Sequence, residues 1–280
     1  MQLIECPRDA MQGLTDFIPT ATKIAYLNQL LRVGFTALDF GSFVSAKAIP
    51  QLRDTAEVLA GLDTGNSPTE LLAIVANLRG AETAADFAEI AYLGFPLSLS
   101  ETFQRRNTNK TIAEALTEVA QMQALCERTS KTLVVYLSMG FGNPYGEAWH
   151  PDIVAEFTRK LAALGVRIVA LSDTIGVSAP ATITPLFETL IPAFPAITFG
   201  AHLHTTPEAW QEKVAAAYHA GCRRFDGALG GHGGCPMATD ELTGNMPTEH
   251  LVAYLQTQGE ALDLDMQAFQ EAQVAAQQVF

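Results

Sequence analysis

Thr132-Leu133-Val134-Val135-Tyr136-Leu137 is the clearest strand in the chain, a short apolar and β-branched run with no helical stripe. Its surroundings decide the fold. Before it, Ile112 to Cys126 is alanine-rich and amphipathic, as a surface helix is. After it, Pro151 to Leu164 has helical spacing, and Val166 to Leu171 is a second apolar strand that ends at Ser172-Asp173. Strand, helix and strand in that order make a parallel pair with a right-handed crossover.

The same unit repeats in both directions. Toward the N-terminus lie strands at Leu3 to Cys6, Phe35 to Phe40, Leu71 to Val75 and within Ile90 to Leu99. Helices lie at Pro19 to Val33, where Gly34 stops the run, and around Ala48 to Ala60. Toward the C-terminus follow helix Pro180 to Leu190, strand Ala196 to Leu203, helix Pro207 to Ala220 and strand Arg223 to Gly227. Helices Thr248 to Gln256 and Met266 to Val279 end the chain. Eight alternations predict an α/β protein that closes as one (β/α)8 TIM barrel, a single catalytic domain over residues 1–280. A glycine-rich loop and a terminal helix are appended to it.

The totals agree. Hydrophobic residues make up 48% and charged ones 17%, which suits a large core and excludes disorder. A net charge of −13 argues against nucleic acid and anionic membranes as partners. Cys6, Cys126, Cys222 and Cys235 have no paired spacing, so neither a zinc cluster nor a disulfide framework is expected. With no leader and no membrane-length apolar run in view, the expected location is cytoplasmic.

A barrel places its chemistry at the carboxyl ends of its strands. Asp9 follows the first predicted strand, Asp39 ends the second, and Asp173 follows the sixth. His202 and His204 end the seventh, two residues apart and so on one side of an extended chain. Two imidazoles and a carboxylate such as Asp9 form a mixed nitrogen and oxygen ligand set. After the eighth strand comes Gly230-Gly231-His232-Gly233-Gly234-Cys235-Pro236, a loop that can fold closely over a ligand and deliver a thiol to it. All converge on one rim, which points to an enzyme. Glu101, Arg105, Arg106 and Asn107 follow the fourth strand as a loop, and Asn143-Pro144-Tyr145-Gly146 reads as a rim turn.

These motifs resemble the 3-hydroxy-3-methylglutaryl-CoA lyases, among the metal-dependent barrel lyases that include isopropylmalate and homocitrate synthases. The resemblance rests on Pro7-Arg8-Asp9-Ala10-Met11-Gln12, on Ser42-Phe43-Val44-Ser45 with Lys47, Pro50 and Gln51, and on Asp173-Thr174-Ile175-Gly176. It rests also on His202 with His204, and on Gly234-Cys235-Pro236 followed by Gly244-Asn245 and Thr248-Glu249. The cysteine loop separates the lyases from the synthases. The resemblance implies Mg²⁺ or Mn²⁺ held by Asp9, His202, His204 and Asn245. It implies catalytic roles for Arg8, Cys235, Asp39 and His202, and substrate binding by Arg8, Gln12, Ser42, Lys47 and Asp173. The reaction implied is retro-Claisen cleavage of an acyl-CoA to acetyl-CoA and acetoacetate, in leucine breakdown, by a homodimer. Arg8 would stabilise the enolate oxygen and Cys235 would protonate the enolate carbon. Asp39, His202 or a metal-held water would take the hydroxyl proton.

The chain departs from the pattern at three places. Asp39 stands where the family has glutamate. Thr205-Thr206-Pro207 follows the histidine pair in place of an aspartate that could orient a ligand imidazole. The glycine loop carries extra residues around His232 and Asp240-Glu241. Other readings are a lyase for a related 3-hydroxyacyl-CoA, an aldolase for 4-hydroxy-2-oxo acids, a Claisen acyltransferase, or an inactive ligand-binding barrel.

Overall fold

The computed structural model describes residues 1–234 and 243–280. Eight parallel strands are present: β1 (Gln2–Glu5), β2 (Ala37–Ser42), β3 (Glu70–Ile74), β4 (Ile90–Ser98), β5 (Thr132–Ser138), β6 (Ile168–Asp173), β7 (Thr198–Thr205) and β8 (Arg224–Gly227). Each pairs with the next in sequence, and β8 pairs with β1 from Gln2↔Arg224 to Glu5↔Gly227. That last ladder closes the sheet into the expected TIM barrel. A two-residue strand, β9 (Gly244–Asn245), adds antiparallel to the end of β7 with His204 opposite Asn245.

The helices are α1 (Pro7–Gln12), α2 (Thr20–Leu31), α3 (Thr55–Ala60), α4 (Leu78–Ala85), α5 (Glu101–Thr108), α6 (Ile112–Thr129) and α7 (Pro151–Ala163). They continue with α8 (Pro180–Ala193), α9 (Trp210–His219), α10 (Thr248–Thr257) and α11 (Met266–Val279). Among the described residues, no helix is long and apolar enough to cross a membrane.

Three departures from the sequence reading have local causes. The helix expected from Ala48 becomes a 3₁₀ turn at Pro50–Leu52 and begins as α3 only at Thr55, because proline cannot continue a helix toward its N-terminal side. α4 buries only Gly80, Ala81 and Ala84, too small a stripe to show as periodicity; Asn77 caps it by accepting from the Gly80 N–H at 2.9 Å. The stretch read as a loop after the fourth strand is α5, capped by Ser100, which accepts from the Phe103 N–H at 3.0 Å.

Alternation along the strands separates two packing regions. One face of each strand joins the helices in the large outer core, with residues such as Leu71, Val135, Leu171 and Phe225. The other face fills the barrel. There Ile4, Cys6 and Ala37 pack together, as do Leu72, Ile74, Val134, Tyr136 and Ala170, with Tyr92 and Ile168 beside them. Toward the carboxyl ends this filling becomes polar, and the site begins there.

Candidate active site

The chain leaves β1 through Pro7, which suits the first position of α1 because its missing N–H has no helical partner there. Arg8 and Asp9 therefore occupy the first turn, directly above the barrel mouth. Arg8 sends Nε to both oxygens of Asp39 at 3.1 and 3.0 Å and a terminal nitrogen to Asp39 Oδ2 at 2.7 Å. Its other terminal nitrogen donates to Gln12 Oε1 at 2.7 Å and lies 3.4 Å from Asp9 Oδ1. Gln12 closes the ring by donating to Asp9 at 2.5 Å. Asp9 accepts in addition from Asn245 Nδ2 at 2.7 Å.

Opposite these groups stand His202 and His204 on β7, two apart and on the same side as expected. Asp9, His202 and His204 bring one ligand atom each within 4.8 Å of one another. His204 is 3% exposed, and among the described residues neither ring nitrogen has a hydrogen-bond partner. A buried imidazole without partners is costly unless a ligand satisfies it. Two nitrogens and a carboxylate oxygen, with the Asn245 amide adjoining Asp9, fit a divalent cation that accepts mixed N/O ligands.

The electrostatics fit the same picture. Burial pushes the Asp9 carboxyl up, but Arg8, His202, His204 and Asn245 together bring it below its usual value. Burial lifts Asp39 to about 6 against the pull of Arg8. His204 falls to about 4, through burial first and the neighbouring His202 second. His202 moves the other way: burial opposes its charge, and Asp226 and Asp9 more than compensate.

Arg8, Asp9, Gln12, His202 and His204 share the wall of a cavity of about 290 Å³ with Tyr136, Ser138, Ser172 and Thr174. Val44, Ala48, Ile49, Ala76, Pro96 and Phe103 form its apolar side. Tyr136 sets its ring edge-on to His202, with centroids 5.5 Å apart. The glycine loop lies directly against the site. Gly233 has φ +98°, and a Cβ there would lie 2.8 Å from the Asp9 carbonyl and 2.7 Å from Asn245 Nδ2, so only glycine fits. Asn245 also donates to the His232 carbonyl at 2.9 Å.

The structure thus brings Arg8, Asp9, Gln12, Asp39, His202, His204 and Asn245 together. Asp39 is in the middle of β2 and not at its end, because the strand runs on to Ser42. Three other expected residues are not on the cavity wall. The Ser42 hydroxyl donates to the Ile74 carbonyl at 3.1 Å. Lys47 is exposed, beside the wall residue Ala48. Asp173 is out of phase with the inward Ser172 and turns toward α9, where Lys213 Nζ binds it at 3.0 Å. Cys235 lies outside the described residues.

Two groups escaped the sequence reading. Asp226 receives Arg224 on one oxygen at 2.7 Å and lies 3.1 Å from His202 Nδ1 with the other. It supplies the orienting carboxylate whose absence after the histidine pair the sequence suggested. Its signal was present in Arg224-Phe225-Asp226-Gly227, where opposite charges two apart on a strand must share a face. Glu5, fully buried, accepts from the Leu229 N–H at 2.8 Å and from Thr248 Oγ1, tying β1 to the root of the glycine loop and to α10.

Known proteins share this architecture. The HMGL-like family matches residues 3–275. Hydroxymethylglutaryl-CoA lyase YngG of Bacillus subtilis is 36% identical over 89% of this chain and 83% of its own length. An (R)-citramalyl-CoA lyase of Chloroflexus aurantiacus is 30% identical over 94% of this chain and 85% of its own. Among solved structures, an HMG-CoA lyase from Acinetobacter baumannii in complex with coenzyme A and 3-methylmalate superposes with a TM-score of 0.89 at 31% identity. That match covers 97% of this chain and 88% of the other.

Proposed function

The chain belongs to the HMGL-like family and is a carbon–carbon lyase, and from that premise we propose that it cleaves 3-hydroxy-3-methylglutaryl-CoA to acetyl-CoA and acetoacetate. The observation that carries the reading is the buried His204, which has no hydrogen-bond partner among the described residues, beside Asp9 and His202 at the wall of a cavity that Arg8 also lines.

Asp9, His202, His204 and Asn245 would hold a divalent cation, Mg²⁺ or Mn²⁺. Such an ion, when bound, polarises a substrate hydroxyl and fixes its geometry. Arg8 then serves the thioester end. Its guanidinium is held at Nε and one terminal nitrogen by Asp39 and at the other by Gln12, and the N–H donors left over would stabilise the enolate oxygen. A preorganised donor of this kind is worth roughly 3–4 kcal/mol at the transition state. Asp39, with both oxygens on Arg8, acts in this reading by holding that guanidinium still. Gln12 braces Arg8 and Asp9 at once. Cys235, which follows the glycines in sequence, would give the proton to the enolate carbon. Lys47, exposed next to the wall residue Ala48, would meet the anionic part of the coenzyme. We extend the proposal to a cytoplasmic homodimer that serves leucine breakdown, as the sequence resemblance implies.

A second reading has one observation in its favour, the similarity to a citramalyl-CoA lyase over nearly the whole chain. Citramalyl-CoA bears its carboxylate directly on the tertiary carbon, one methylene shorter, so the two substrates differ in the keto acid released. The deciding experiment incubates the protein with each thioester, Mg²⁺ and a thiol reductant, and measures acetoacetate and pyruvate. Acetoacetate from the first, lost in a Cys235→Ala variant, supports the proposal. Pyruvate alone moves the assignment to the second substrate, and neither product from folded, metal-loaded protein refutes both.

A further inference from the structure

The barrel interior beneath the proposed metal site carries a charged pair where a barrel usually packs aliphatic side chains. Arg224 and Asp226 on β8 have side chains only 3% and 0% exposed, joined at 2.7 Å. Asp226 sits opposite both Ile4 on β1 and His202 on β7 in the strand register. Space for the guanidinium is made at Gly200, where a Cβ would lie 2.5 Å from an Arg224 terminal nitrogen. A buried pair of this kind is weak evidence for stability, since desolvation offsets most of its attraction. Its position suggests a different use.

Among the described residues, two sets of three groups are close enough to share a cation, and both include His202. One is Asp9, His202 and His204. The other is Cys6, His202 and Asp226, and there the guanidinium of Arg224 already supplies the positive charge. The inner carboxylate therefore serves the imidazole. An ionised carboxylate only accepts, and a neutral imidazole has one N–H and one lone pair. With Nδ1 facing Asp226, the proton must be on Nδ1, and the lone pair is left on Nε2.

We propose that Arg224 and Asp226 are positioning residues that fix His202 as its Nδ1–H tautomer, so that Nε2 is the nitrogen offered to the divalent cation. This rests on the metal reading given above. Arg224 is an essential part of the device, because it decides how the site responds to an amide. In Asp226→Asn the side chain keeps one acceptor, and the charged guanidinium takes it. The amide NH₂ then faces Nδ1 and forces the proton onto Nε2, where it blocks coordination. Replacing Arg224 as well, in Arg224→Met/Asp226→Asn, frees the amide oxygen to accept from Nδ1–H again.

The test is Mn²⁺ binding to the full-length, chelator-stripped protein, read by the EPR signal of free Mn²⁺, for wild type and the two variants. Asp226→Asn should bind 10- to 100-fold more weakly, the usual effect of removing an outer-shell partner. The double variant should recover at least part of that loss. Asp226→Asn within twofold of wild type overturns the proposal, and so does a double variant as weak as the single one, since a merely structural role predicts no rescue. A wild type that binds no Mn²⁺ refutes the metal reading itself. Long-range ¹H–¹⁵N spectra of the wild-type histidines, recorded at a pH where His202 is neutral, decide the matter if the variants do not fold: a single proton on His202 Nδ1 supports the assignment, and one on Nε2 overturns it.

Discussion

At the scale of the residue, Arg8 shows how much function one side chain's geometry can hold. Its planar fork binds Asp39 and Gln12 together, which a point-like ammonium cannot do. Arg8→Lys should lower kcat by about 100-fold with KM nearly unchanged, measured by acetoacetate release. Glu5 makes a different prediction. Burial first, opposed by Thr248 and Leu229, raises its carboxyl from 4.5 to about 8. Between those values the unfolded chain has lost this proton and the folded chain retains it, so stability falls as pH rises through the window. The melting temperature should drop between ~pH 5 and ~pH 8, and Glu5→Gln should flatten that slope; equal slopes in the two proteins would refute the account. The two histidines were legible in sequence because i and i+2 on a strand need no tertiary information. The partner of His202 was not, because Asp226 lies 24 residues away and only barrel closure sets the two strands side by side. Glu5 was hidden for the same reason, with its acceptors filled from residues more than 200 positions later.

At the scale of the element, strands read more plainly than helices. Parallel strands buried on both faces are continuous apolar runs, so all eight were visible. Helices that are short or bury small side chains were not: α1 has only six residues, too few to show a period, and α4 faces the core with alanine and glycine. β9 was invisible because two residues carry no periodicity; its pairing with the end of β7 defines it. The glycines are where elements approach most closely. Gly200→Ala would drive a methyl into a guanidinium that is itself buried and ion-paired, and should cost about 1–3 kcal/mol by thermal or urea unfolding. Gly233→Ala meets the backbone of Asp9 and Ala10 from a positive φ. It should weaken Mn²⁺ binding as well as activity, because the carboxylate it displaces is a proposed ligand.

At the scale of the whole molecule, the proposed ligands come from β1's exit, β7 and β9, so the cation would join segments from both ends of the chain. An ion that binds only the folded form stabilises it by about 2.7 kcal/mol at a hundred times its Kd. Chelation should therefore lower the melting temperature by roughly 5 °C, and added Mg²⁺ should restore it. A melting curve indifferent to both would count against the metal site. The short ladder of β9 on β7 has an evolutionary corollary. It fastens Asn245 to its place opposite His204 after the chain has crossed the glycine loop. The chain is held at the His232 carbonyl before that stretch and at Gly244 after it, so residues can be gained or lost between them without disturbing the ion's surroundings. The proposed ligands can then be inherited unchanged while the number of residues that separates them in sequence varies.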